Sequence, residues 1–392
     1  MNFDYTEEQT LLDNMVTSFV RDNYDWDTRC NIVKSEEGWK EENWKQFAEL
    51  GLLGVPFDEA HGGLGGKSAD LMIVMEQFGK GLVVEPYLPT VILAGGLISK
   101  LGSEEQKNSI IPEIISGNIR CAFAYAEPQS RFDLNDVKTS AVLNGDDYVL
   151  NGFKSVVFGA GMASHLIISA RTEGEQRSES GITLFIVDTK SEGLTLQNYP
   201  TIDEYRASEV IIENLKVSKD NVLGKVNMAY DAIEEIVDIS TIAACSEAVG
   251  ILQVLKDSTT EYCKNRKQFG QSIAKNQVIQ HRLVDMMIEY EQAKSILYMA
   301  VTADLGNSDE RRKAVSAAKA RIGKAIKFVG ESAIQLHGGM GVVDEYMVSH
   351  YFKRATMIGV LFGNTDYHMK RYMTLTQSGI SSSDEAISVS VT

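Results

Sequence analysis

Two short runs in the C-terminal third of the chain combine a phosphate-binding side chain with close-approach glycines. The first, Arg266-Lys267-Gln268-Phe269-Gly270, is followed shortly by Gln277. A guanidinium is a planar fork of donors that meets phosphate oxygens in pairs. The second, Gln335-Leu336-His337-Gly338-Gly339-Met340-Gly341, sets its glycines directly after a helical stretch, where they let a ligand come close to the backbone. Each run has a plainer reading. Arg266 and Lys267 also suit the C-terminal end of a helix, where positive charge is favoured, and a glycine-rich run also suits an interhelical turn. A third run, Phe362-Gly363-Asn364-Thr365, follows them and carries no ionisable side chain.

The whole chain narrows the choice of ligand. It has 392 residues, 44% of them hydrophobic and 23% charged, which is ordinary globular composition. With 54 acidic against 38 basic residues its formal charge is -16, which argues against nucleic acid as a partner. An anionic ligand must therefore meet a local basic pocket. No run of eighteen apolar residues occurs, and the start, MNFDYTEEQ, is acidic where a signal peptide is basic. The expectation is a cytoplasmic protein with no membrane partner. Cys30, Cys121, Cys245 and Cys263 lack CxxC spacing and no histidines pair at ligand distance, so reduced structural cysteines and no metal are expected.

Periodicity divides the chain in three, with a tail. Apolar positions recur at three- and four-residue spacing in 6–24, 41–52 and 68–78, giving a helical domain over 1–118. His61-Gly62-Gly63-Leu64-Gly65-Gly66 lacks a preceding strand and a closing Lys-Ser or Lys-Thr, so it reads as a helix connection rather than a phosphate loop. Over 119–225 the texture is β-rich, with strands at 147–150, 155–158, 166–170, 182–187 and 210–212. Turns are expected at Asn144-Gly145 and Asn151-Gly152, in a small antiparallel barrel or sheet. Helical period returns from 226, in 229–264, 276–304, 309–336 and 345–374, as an antiparallel four-helix bundle. The Ser-rich end, within 376–392, predicts a mobile tail.

Helices, then a β domain, then a bundle carrying YCKNRKQFGQSI and QLHGGMGVVDEY resembles the acyl-CoA dehydrogenase family over residues 1 to about 375. The resemblance implies a mainly α fold with a central β domain, FAD as cofactor and an acyl-CoA substrate. It further implies a tetramer and an electron-transfer flavoprotein as acceptor. It implies that Arg266, Phe269, Gln277, Gln335, Gly338, Gly339 and Asn364 hold the flavin, with Arg266 and the glycine loop reaching across a subunit boundary. Asp238 and Gly363 correspond to positions near the substrate.

Several positions depart from the family's pattern. The catalytic glutamate position is Phe362, and the earlier helix position that carries the carboxylate in some members is Ser240. Thr241 stands where an arginine follows Asp238, so the catalytic base is unknown; Asp366 and Glu247 are the remaining candidates, each with a plainer structural reading. Around the flavin ring, Arg131, Phe132, Val156 and Phe158 replace the usual donors and tryptophan, which predicts a weak or filled ring site. The runs AACSEAVG, EYCKNRKQFG and HYFKRATMIGVLFGNTDYHMKR are similar to the small subunits of heteromeric members such as pimeloyl-CoA dehydrogenase. That similarity implies a chain lacking the base that completes a homologous partner's flavin site. The alternatives are a self-sufficient homotetramer with a non-standard base and a flavin-free structural or regulatory homologue.

Overall fold

Local signals in the chain set most element boundaries. The computed structural model describes residues 5–303 and 308–389, with side chains described through residue 377. By contact the chain divides into two units, Met1–Leu71 with Val83–Ser240, and Met72–Leu82 with Thr241–Thr392.

In the first unit, α1 (Glu7–Asn23), α2 (Trp26–Lys34) and α3 (Glu41–Glu49) precede the start of α4 (Ser68–Gly81), and α5 (Gly95–Leu101) and α6 (Glu104–Ile115) follow it. Reciprocal side-chain capping by Thr6 with Gln9, and by Ser103 with Gln106, fixes where α1 and α6 begin. The glycine run at 61–66 is a tight connection, since a Cβ at Gly63 or Gly66 would collide with the Phe57 or Val55 carbonyl.

The sheet of this unit contains β1 (Cys121–Ala124), β2 (Ser140–Asn144), β3 (Asp147–Phe158), β4 (His165–Arg171), β5 (Ile182–Asp188), β6 (Leu194–Pro200), β7 (Arg206–Ser218) and β8 (Val222–Leu223). Its order is β6-β7-β3-β2-β4-β5-β8, with β1 paired to β4 in parallel. It is therefore mixed rather than wholly antiparallel, because β1 reaches β4 through a long connection instead of a hairpin. Inward residues such as Leu150, Leu166, Ile168, Phe185, Val210 and Leu215 form its core.

Asn144-Gly145 lies at the expected hairpin, with Gly145 at φ 67° and Asn144 facing Asp147. Asn151-Gly152 is not a turn. It lies inside β3, where the register against β7 shifts between Leu150 and Gly152, and Gly152 is glycine because a Cβ would collide with Thr139. The sequence reading also passed over β6, an edge strand whose alternating burial is shallow.

In the second unit, α7 (Tyr230–Asn265) ends in a small hairpin, β9 (Lys267–Gln268) and β10 (Gln271–Ser272), followed by α8 (Gln277–Thr302), α9 (Ser308–His337), α10 (Met347–Val360) and α11 (Thr365–Val389). α9 packs against α8, α10 and α11 and is buried on several sides, from Val315 and Lys319 to Val329 and Ala333. Close packing of α4 on α7 needs glycine twice, since a Cβ at Gly79 or Gly250 would strike the Glu247 or Glu76 carbonyl. The stretch 345–374, expected as one helix, is two. Phe362 at φ 57° and Gly363 at φ 115° break it. Past the Ser-rich point where the sequence predicted a tail, the backbone stays helical to Val389.

Candidate functional site: a two-segment cradle and an aromatic turn

The Arg266 segment is a two-residue hairpin at the end of α7. Gln268 faces Gln271, and the turn residues Phe269 and Gly270 have φ 53° and 81°, both in the left-handed region that a type I′ hairpin requires. Glycine accepts this without strain; phenylalanine does so at a cost of about 1–2 kcal/mol. Its base is tied down: the Arg266 N–H donates to Tyr262 O at 2.8 Å, Ile273 N–H to Arg266 O at 2.9 Å, and Ser272 Oγ to Cys263 O at 2.9 Å. Its tip is bare, with Phe269 101% exposed. The exposed Arg266 guanidinium makes no hydrogen bond or ion pair among the described residues, and it directly follows the C-terminal end of α7, where positive charge is favoured. Gln277 opens α8 and is likewise exposed.

The glycine segment lies where α9 ends. Gly338 has φ 59°, and a Cβ at Gly338 or Gly339 would meet nothing within 4 Å, whereas one at Gly341 would come within 2.7 Å of Ile334 O. Two of the three glycines therefore face open space, and the third serves packing. Gln335 is exposed one turn earlier. Tyr262 and His337 join the segments: their ring centroids lie 4.3 Å apart, and Tyr262 Oη donates to His337 O at 3.4 Å. The fold thus brings together two runs far apart in sequence. Unpaired guanidinium, open backbone and a bare aromatic tip fit the adenosine diphosphate end of a flavin dinucleotide.

The third run is a strained turn held from behind. Half-buried Phe362 occupies the left-handed region. Buried Lys319 donates Nζ to Ile358 O at 2.7 Å, Gly359 O at 3.4 Å and Gly363 O at 2.8 Å. Burial pulls its pKa down to about 8. His368 Nε2 donates to Phe362 O at 3.0 Å, and burial, with Lys319 nearby, pushes its pKa down to about 3, so the ring is neutral. Gly363 has little left for a substrate: its N–H donates to Val360 O, its O accepts from Lys319, and a Cβ there would meet Tyr367 and His368. Asn364 Oδ1 caps α11 through the Tyr367 N–H at 2.9 Å, leaving its amide nitrogen as the part able to reach a ligand.

One of the candidate bases is otherwise occupied and another faces solvent. Glu247 is locked in a buried two-point ion pair with Arg354 at 2.5 and 2.8 Å, and Asp366 is exposed in the first turn of α11, where negative charge is favoured. Asp238 and Ser240 are buried on α7 in the first unit, and Ser240 Oγ has no hydrogen-bond partner among the described residues.

In the sheet unit, the register of β3 shifts again between Lys154 and Val157, lifting Val156 to φ 54° and 42% exposure. For a β-branched residue this is a genuine outlier. Val156 does not fill the sheet interior, and Arg131 at φ 48° is exposed as well. Lys154, two residues before Val156 in β3, belongs to an ion pair that sequence reasoning missed. Lys154 Nζ meets Glu127 Oε1 at 2.7 Å and Ser169 Oγ at 3.0 Å, with both charged groups buried. Burial pulls Lys154 down to about 8 while Glu127 holds the proton in place. A lysine inside the β-rich run GFKSVVF was the available signal.

Family models cover nearly the whole chain: "Acyl-CoA dehydrogenase, N-terminal domain" over residues 6–118, "Acyl-CoA dehydrogenase, middle domain" over 122–215 and "Acyl-CoA dehydrogenase, C-terminal domain" over 230–373. The chain is 30% identical over 366 residues to the caffeyl-CoA reductase-Etf complex subunit CarC of Acetobacterium woodii, covering 92% of this chain and 96% of that protein. It is 31% identical over 327 residues to the short-chain specific acyl-CoA dehydrogenase, mitochondrial, of Homo sapiens, covering 82% and 79%. Among solved structures, the Tcur3481-Tcur3483 steroid ACAD variant superposes with a TM-score of 0.86 at 28% identity, covering 96% of this chain and 99% of that one. Three consecutive domain matches, near-full-length relatives and the same fold lead to one conclusion: the chain belongs to the acyl-CoA dehydrogenase family of oxidoreductases acting on CH–CH bonds.

Proposed function

We propose that this chain is the base-deficient subunit of a heteromeric, FAD-dependent acyl-CoA dehydrogenase, and that its cradle completes the flavin site of a homologous partner. The observation that carries the reading is the coexistence of an open, unpaired Arg266 and Gly338-Gly339 cradle with a phenyl side chain at the strained turn of residue 362. When bound, the flavin supplies hydride acceptance as the acyl thioester loses its α-proton. Arg266 grips the diphosphate with its fork, and the amides of Gly338 and Gly339 approach the phosphates unhindered. Phe269, Gln277 and Gln335 border the adenosine end, and Asn364 offers its amide nitrogen. Phe362 cannot remove a proton, so proton transfer falls to the partner's own site.

Two relatives bear on partners: the name of one places it in an Etf complex, and the structural neighbour carries a two-component name. Electron-transfer flavoprotein is accordingly the proposed acceptor, and a heterotetramer the proposed assembly. Four unpaired cysteines suit a reducing, cytoplasmic setting, and no helix among the described residues is long and apolar enough to cross a membrane.

The test is expression alone and with a homologous partner chain, with bound flavin and acyl-CoA desaturation measured in both. The chain alone is expected to be flavin-poor and inactive, and the pair loaded and active. Arg266→Ala in this chain should strip flavin from a pair whose partner is unaltered. Stoichiometric FAD and ordinary desaturation by the chain alone would sink the proposal.

A further inference from the structure

His337 lies at the only direct ring-to-ring link between the two cradle segments that the described residues display, and it is buried to 3% exposure. Its Nδ1 lies 2.8 Å from Ala333 O. A carbonyl only accepts, so Nδ1 carries the proton and Nε2 is a bare acceptor, buried without a partner among the described residues. One face of the ring meets Tyr262, one helical turn before Arg266; Tyr346 lies 5.4 Å away on the far side of the glycine loop. The next residue is Gly338, whose backbone faces open space. An imidazole with an unsatisfied nitrogen is a costly choice for simple filling, since an apolar ring would avoid the desolvation penalty of a buried, unpaired nitrogen. Its Nδ1–H, however, fixes the ring plane to the last turn of α9, which an aliphatic side chain could not do.

We propose that His337 is a positioning residue which, as a neutral ring bonded to Ala333 and packed at a tilt against Tyr262, sets the distance between the Arg266 hairpin and the Gly338-Gly339 loop. The proposal rests on the cradle reading given above. It also implies a pH limit. Among the described residues, the titratable groups in ring contact with His337 are the phenols of Tyr262 and Tyr346. Protonation would place a cation in this sandwich with no acceptor for Nε2. Burial accordingly shifts the histidine pKa downward. The neutral, engaged ring prevails at and above the ordinary histidine value of ~6.5, and the stabilisation is lost as pH falls through the lowered one.

The experiment follows backbone hydrogen exchange across residues 262–276 and 335–343 in the full-length chain, and ADP binding by the chain purified with its partner. His337→Ala should speed exchange about tenfold in the hairpin as well as in its own loop, and weaken ADP about tenfold. His337→Phe, which keeps a ring against Tyr262, should restore hairpin protection to within about threefold of the original and abolish the acid-induced loss of that protection below the ordinary histidine value. Unchanged hairpin exchange in folded His337→Ala overturns the proposal, as does an acid sensitivity that persists in His337→Phe; should the alanine variant not fold, the phenylalanine variant decides. Arg266→Ala separates the two readings: if it leaves ADP binding intact, the cradle reading fails, and the exchange data alone judge the spacing role of His337.

Discussion

Replacing Lys154 by methionine removes the cation from a fully buried pair and leaves Glu127 in place. The pair is close, at 2.7 Å, and Glu127 also accepts from the backbone N–H groups of Lys138 at 2.8 Å and Thr139 at 3.0 Å and from Gln129 Nε2 at 2.8 Å. Breaking one side of a buried pair typically costs about 3–5 kcal/mol. The three remaining donors place this case at the lower end, about 3 kcal/mol. A second route gives a similar figure: if Glu127 instead takes up a proton at pH 7, displacing it from an ordinary ~4.3 costs about 3.7 kcal/mol at 1.36 per unit. Once unpaired, the carboxyl has a folded-state pKa raised above its unfolded value. The variant therefore gains relative stability at low pH and loses it as pH rises through that raised value. Urea unfolding at pH 7 and pH 5, read by circular dichroism, should show a deficit of about 3 kcal/mol at pH 7 that narrows at pH 5. The double variant Glu127→Gln, Lys154→Met should lose less than the two single losses combined. A Lys154→Met deficit below about 1 kcal/mol, or one that does not change with pH, would refute the claim that this pair is charged and holds the β1–β2 connection to β3.

Two further outcomes follow from the second unit. Phe269→Asn should raise thermal stability, by about 0.5–1 kcal/mol, because asparagine suits the first position of a type I′ turn and the phenyl ring buries nothing in the isolated chain. The same change should weaken flavin retention in the assembled pair, and a stability gain without any flavin effect would count against the cradle. Lys319→Met leaves the Ile358, Gly359 and Gly363 carbonyls without their shared donor and should cost about 2–3 kcal/mol near neutral pH. Because the folded-state lysine is pulled down to about 8 from 10.5, the unfolded chain holds the extra proton between those values. The original chain should thus gain stability over Lys319→Met as pH rises through that window, and a flat difference between the two chains would show that Lys319 is not buried as described.

Much of the fold was legible because its signals are local. Thr6 with Gln9 and Ser103 with Gln106 announce helix starts through the atoms that cap them, and Asn144-Gly145 announces a hairpin through its backbone preference. Asn151-Gly152 carried the same local signal and misled, because packing against Thr139 and pairing with β7 decide whether such a dipeptide turns or bulges. The break at Phe362-Gly363 was hidden for a similar reason. Helical periodicity runs through it, and the left-handed backbone is held by Lys319 and His368 from elsewhere in the bundle. The residue types in the two cradle runs left both a ligand-binding and a plainer structural reading, and the family resemblance, not the pattern alone, pointed to a phosphate-bearing ligand.

By itself, then, the sequence determined the family, the three-part organisation and the absence of a proton-abstracting side chain at residue 362, each a matter of residue identity and spacing along one strand of covalent bonds. Only the tertiary structure decided that Arg266 is unpaired, that Glu247 is consumed by Arg354, that Gly363 has its backbone groups engaged, and that His337 joins two segments distant in the chain. Those facts depend on which groups meet through space and which are left facing water, and no one-dimensional pattern encodes the energy of a meeting before the chain has closed upon itself.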